Sequence, residues 1–202
     1  MQLRHVTTLT SEQYVTHRAW RQASVDRCPR HPGGGCDLSR HGTYTRVEPS
    51  GMRVARWYCR AARVTFSALP DCMAARLMGS LDQVEEAAVA VESMGVEGAA
   101  EGLRPEVELP GVMRWVRRRR DGVRVALLAL VTALPGQLGT LPEVRAVRAV
   151  LDTERALVAL RAIGADYLPT LPYPLGFGRL RRRGAEREPK FQHETGPDPP
   201  PA

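Results

Sequence analysis

Cys28-Pro29-Arg30-His31-Pro32-Gly33-Gly34-Gly35-Cys36 is the stretch on which the reading turns, and Cys59 closes it. Zn²⁺ is held by four nitrogen or sulfur ligands in a closed tetrahedron, and structural sites commonly begin with a tight turn that carries two of them. Cys28-x-x-His31 has that spacing, and Pro29 with the triple glycine supplies the turn. The ligand set read from the sequence is Cys28, His31, Cys36 and Cys59, holding one structural Zn²⁺. His41 is an alternative to His31, and Cys72 is a distant substitute better suited to a core. Four protein ligands leave no open position for a hydrolytic water, and neither Asp26 nor Asp37 is spaced as a general base, so the metal is expected to act as a staple.

Outward from this segment, short strands are expected. Gly42 to Val47 alternates in the strand manner, Glu48-Pro49-Ser50-Gly51 makes a turn, Met52 to Cys59 alternates again, and Val64 to Ser67 is a third candidate. A small antiparallel zinc ribbon over 23–72 follows, preceded by an arm over 1–22 with a helix between Ser11 and Trp20.

After Pro70 the periodicity becomes helical. Leu81, Val84, Ala88 and Val91 recur at spacings of three and four, with Asp82, Glu85, Glu86 and Glu92 around the rest, and Ser80 is a candidate cap. Gly95 ends that helix, Val96 to Leu103 forms a short second one, and Pro110 opens a basic third, Gly111 to Arg120. This is the order of a helix-turn-helix unit. An apolar helix from Val123 to Leu134 and an amphipathic one from Leu141 to Ile163 complete a helical domain over 80–165, and the Pro-rich, basic stretch 176–202 is expected to be disordered. The fold class is therefore α+β.

The 202 residues carry a formal charge of +7, which points towards polyanionic partners. Lys190 is the sole lysine among 29 basic residues, a skew expected of a GC-rich coding sequence, so the placement of arginines says more than their number. On the basic helix Val112, Trp115 and Val116 form an inward stripe, leaving Arg114, Arg117, Arg118 and Arg120 for double-stranded DNA. Arg181 to Arg183 and Arg187 could add phosphate contacts. No apolar run is long enough to span a membrane, and the amino-terminal residues lack a signal-peptide core, so a cytoplasmic address with reduced thiols is expected.

Cys28-Pro29-x-His31, Cys36, Arg40-His41-Gly42-x-Tyr44, Arg56-Trp57-Tyr58-Cys59, Thr65-Phe66-Ser67-x-Leu69-Pro70-Asp71-Cys72 and Leu109-Pro110-Gly111 through Arg119 resemble bacterial transposase-associated proteins that join a zinc ribbon to a helix-turn-helix. The resemblance implies DNA binding linked to transposition, in an accessory, regulatory or degenerate role. It departs at Ala62, where many relatives of the ribbon class carry a second Cys or His. Strand transfer needs three carboxylates on a nuclease-type core. The stretch after the basic helix has no strand-rich segment to carry them, so a non-enzymatic protein is expected. The alternative is a protein-interaction module that docks a transposase or polymerase without reading DNA. A thiolate enzyme based on Cys72 has no histidine near it in sequence to activate it.

Overall fold

The structure is a computed structural model that describes residues 1–138 and 142–178. It is α+β. Four strands, β1 (Gln2–His5), β2 (Leu38–Thr45), β3 (Arg53–Cys59) and β4 (Val64–Pro70), form a mixed sheet in the order β1-β4-β3-β2. β2, β3 and β4 are an antiparallel meander, with Trp57 opposite Arg40 on one side and Phe66 on the other. The outermost pairing was not foreseen. Residues 2–5, expected to belong to an amino-terminal arm, lie parallel to β4, with Leu3 opposite Ala68. The strand is fastened by Arg4, which makes a two-pronged ion pair with the buried Asp71 at 2.8 and 3.0 Å. Four residues give too short a period to register as a strand, and the partner is more than 60 positions away.

α1 (Ser11–Thr16) is shorter than expected. Its cap is Thr10, whose hydroxyl accepts from the Gln13 amide while the Gln13 side chain accepts from the Thr10 amide. The capping box therefore begins one residue before the Ser11 start assumed from sequence. Arg18, in the left-handed region at φ 51°, turns the chain into a one-turn 3-10 helix, Ala19–Arg21.

Beyond the sheet, α2 (Leu81–Leu103) is capped by Ser80 and Gln83 in the same reciprocal way. Gly95 bends it at φ 74°, ψ 179°, a conformation open essentially to glycine alone, so the two helices expected here abut without a loop. α3 (Leu109–Ala133) then runs back along α2. The expected break between Arg120 and Val123 is absent, and the basic and apolar segments are one continuous helix. Val112, Val116, Arg119, Val123, Ala126, Leu127 and Leu130 keep a helical period on its buried side. Gly122 lies against Tyr173, where a Cβ would approach the ring to 3.0 Å. It is a point of close packing, not a stop.

The single amphipathic helix expected over 141–163 is two, α4 (Val144–Leu151) and α5 (Ala156–Ile163), separated at Asp152, which adopts φ 47°; Leu141 lies outside the described residues. Neither helix has a local side-chain cap. Acidic residues of α2 serve instead. Glu92 accepts from the amides of Val144 and Arg145, and Glu85 from those of Ala156 and Leu157. Glu85, expected on the outer surface of its helix, is 1% exposed and also meets Arg148 at 2.8 Å.

Contacts join the sheet to the helices. Leu77, Leu81, Leu127, Leu130, Leu157 and Leu171 belong to the helical core, Tyr14, Met52, Val54, Leu69 and Met73 to the sheet-side core, and Phe177 touches both. Residues 176–178, assigned from sequence to the tail, are folded: Phe177 donates to the Leu168 carbonyl at 2.7 Å. The remainder of that predicted tail, with Arg181 to Arg183 and Arg187, lies outside the described residues.

Candidate metal centre and basic helix

The Cys28 turn, the glycine loop and the end of β3 converge on one point. His31 returns its amide to the Cys28 carbonyl at 3.0 Å, and Gly34 returns its own to His31 at 3.0 Å. Gly34 and Gly35 sit at φ 86° and 77°, which lets the loop reverse and deliver Cys36. Cys59 arrives from β3. The ligand atoms of Cys28, His31, Cys36 and Cys59 all lie within 4.8 Å of one another, so the cluster could hold a metal ion.

The His31 Nδ1 atom lies 3.5 Å from the sulfur of Cys28 and 3.5 Å from that of Cys59. A tetrahedron with ordinary Zn–S and Zn–N bonds has a sulfur–nitrogen edge of about 3.5 Å, so the spacing fits that ion. His31, not His41, lies with the three cysteines. His41 instead packs beside the Tyr58 ring at 5.7 Å, and Cys72 is wholly buried in the sheet-side core. No carboxylate belongs to the cluster.

Ala62, the departure from the ribbon pattern, has a different part to play. The turn after Cys59 aims the Ala62 amide at the Cys59 sulfur, 3.4 Å away. Its side chain joins Leu3, Leu38, Val64 and Phe66 in an apolar lining around Cys28 and Cys59. An N–H donor stabilises sulfur in its charged form. This contribution is invisible in sequence because it comes from the backbone.

Three thiols this close cannot all ionise unless a cation joins them. Burial raises the Cys28 thiol, but hydrogen bonds from His31, the backbone at Arg30 and the neighbouring cysteines outweigh it and hold the group down at about 6. Burial and the neighbouring Cys28 and Cys59 push Cys36 up to about 12.

The sequence-predicted DNA residues separate into two groups. Arg114, Arg117 and Arg118 are exposed on the outer side of α3, joined about two turns beyond Arg117 by Arg124, which lies in the apolar segment. Arg120 is half-buried and directed to Asp121 at 2.6 Å. Arg119 is turned fully inward. Its guanidinium stacks 3.6 Å from the Trp115 ring centre and donates to the Met78 carbonyl, and burial lowers its pKa to about 10.

No protein-family model, curated protein or solved structure matches this chain. Among the described residues no helix is long and apolar enough to cross a membrane.

Proposed function

We propose that the protein is a zinc-stabilised, non-catalytic DNA-binding protein with an accessory or regulatory role beside a transposase. Zn²⁺ at Cys28, His31, Cys36 and Cys59 staples a ribbon-like meander, and α3 is the helix of a helix-turn-helix-type unit that approaches a groove of duplex DNA. The observation that carries this reading is the outer side of α3. Arg114, Arg117 and Arg118 stand exposed at spacings of three and four, and Arg124 extends the row. Guanidinium groups so placed can neutralise phosphates or fork onto a guanine edge. The relation to transposases rests on the motif resemblance alone.

A titration of labelled duplex with Arg114→Ala and Arg117→Ala tests the reading. Each variant is expected to lose about 1–3 kcal/mol of binding where its arginine reads a base. Where it meets phosphate only, the loss is uniform across sequences and the salt slope becomes shallower by about one unit. Wild-type affinity in both variants would overturn the groove assignment.

A docking module for a transposase or polymerase is the second reading. It is favoured by Val125 and Leu128, which are 38% and 47% exposed on α3 beyond the arginines. Duplex binding that survives only at low salt would support it over the first.

A further inference from the structure

A second concentration of arginine lies away from α3, in a cavity of about 470 Å³ lined by Arg18, Trp20, Arg21, Arg40, Thr43 and Arg53. Four guanidinium-bearing residues come from three separate elements: the turn after α1, the edge strand β2 and the start of β3. No acidic residue lines the cavity, and among the described residues none of the four forms an ion pair. Like charges gathered in a concave surface repel one another and focus a positive potential outward.

The cavity is built, not incidental. Arg40 ties the 3-10 turn to the sheet by donating to the carbonyls of Trp20, Arg21 and Ala23 at 2.5, 3.0 and 3.2 Å, and it lies 5.4 Å from the Trp57 ring centre. Arg18 is held in the left-handed region at φ 51°, ψ 39°, which is unfavourable for a long side chain. The sheet edge beside it is disrupted by a register shift between Arg40 and Thr43, which makes it a poor template for an added strand.

We infer that this pocket binds the phosphodiester backbone of the nucleic acid, as an anchor separate from α3. The inference rests on the DNA-binding reading and extends its contact surface to the sheet. A lone phosphate carries about two negative charges near neutral pH, too few for four arginines. Successive phosphodiesters along a strand supply the matching charge, and Arg18, Arg21 and Arg53, all exposed, are accessible to them. The contact is indifferent to base sequence.

Arg21→Gln combined with Arg53→Gln tests it, because neither side chain makes a hydrogen bond among the described residues, and thermal melting with metal content verifies the fold. Salt-dependent duplex titrations should show a slope shallower by about two units and, at about 0.15 M salt, roughly 25-fold weaker binding, near fivefold for each contact removed. Arg21→Lys with Arg53→Lys should retain the wild-type slope. Unchanged affinity and slope in the glutamine variant, while Arg114→Ala and Arg117→Ala weaken binding, would overturn the pocket assignment and leave the proposed function standing. A wild-type protein that binds no duplex would overturn both. In that case, binding of inorganic pyrophosphate that the glutamine variant loses would reassign the pocket to a free phosphate compound.

Discussion

Cys36 and Cys28 divide the protons of the metal-free cluster unequally. Cys36 keeps its proton through neutral pH, whereas Cys28, held at about 6, has lost its own. Metal uptake must therefore displace at least the Cys36 proton. Apparent zinc affinity is expected to fall at least about tenfold for each pH unit below neutrality, and more steeply below about 6, where Cys28 also takes up a proton. Competition with a chromophoric chelator across that range measures this, and a flat profile would contradict the ligand assignment. The convergence of Cys28, Cys36 and Cys59 with a histidine was legible because Cys-x-x-His and a glycine turn impose local geometry. The choice of His31 over His41 was not, since both histidines precede the returning strand and only the packing of His41 on Tyr58 separates them.

Helix ends decide much of what happens at the scale of the element. α4 and α5 begin without caps of their own, and Glu92 and Glu85 of α2 bring negative charge to their amino-terminal amides. Glu85→Ala is expected to cost at least about 2 kcal/mol, since the half-buried Arg148 and two buried amides lose their partner together, and Glu92→Ala about 1 kcal/mol. Denaturant unfolding measures both; losses below about 0.5 kcal/mol, as at an ordinary surface position, would refute the capping role. Gly95→Ala meets no atom within 4 Å, so its whole effect is backbone conformation, expected at about 1–3 kcal/mol. The hydrophobic period revealed α2 and α3 but not the join at Gly122, because a glycine that permits close packing looks in sequence like one that breaks a helix. The split between α4 and α5 was equally hidden, since its cap lies some 70 residues upstream.

The molecule as a whole is tied through Arg161. Wholly buried and without a carboxylate partner among the described residues, it donates to the carbonyls of Pro70, Asp71, Met73, Pro174 and Leu175, and so joins the end of β4, α5 and the carboxy-terminal segment. Burial lowers its pKa to about 10, which leaves it charged at neutral pH. Arg161→Met is expected to cost at least about 3 kcal/mol, because several buried carbonyls lose their donor at once, and denaturant unfolding measures the loss. An α+β class and a cysteine-bearing meander were legible from local pattern. The pairing of β1, the burial of Arg161 and its contacts from α5 to the end of β4 were not, since each depends on partners far apart in sequence. Zinc-edge X-ray absorption on protein purified without added metal tests the stapled meander most directly. The expected result is one zinc per chain with three sulfur ligands near 2.3 Å and one nitrogen near 2.0 Å. A metal-free protein that melts at the same temperature with and without zinc, or a zinc shell with oxygen in place of sulfur, would contradict it.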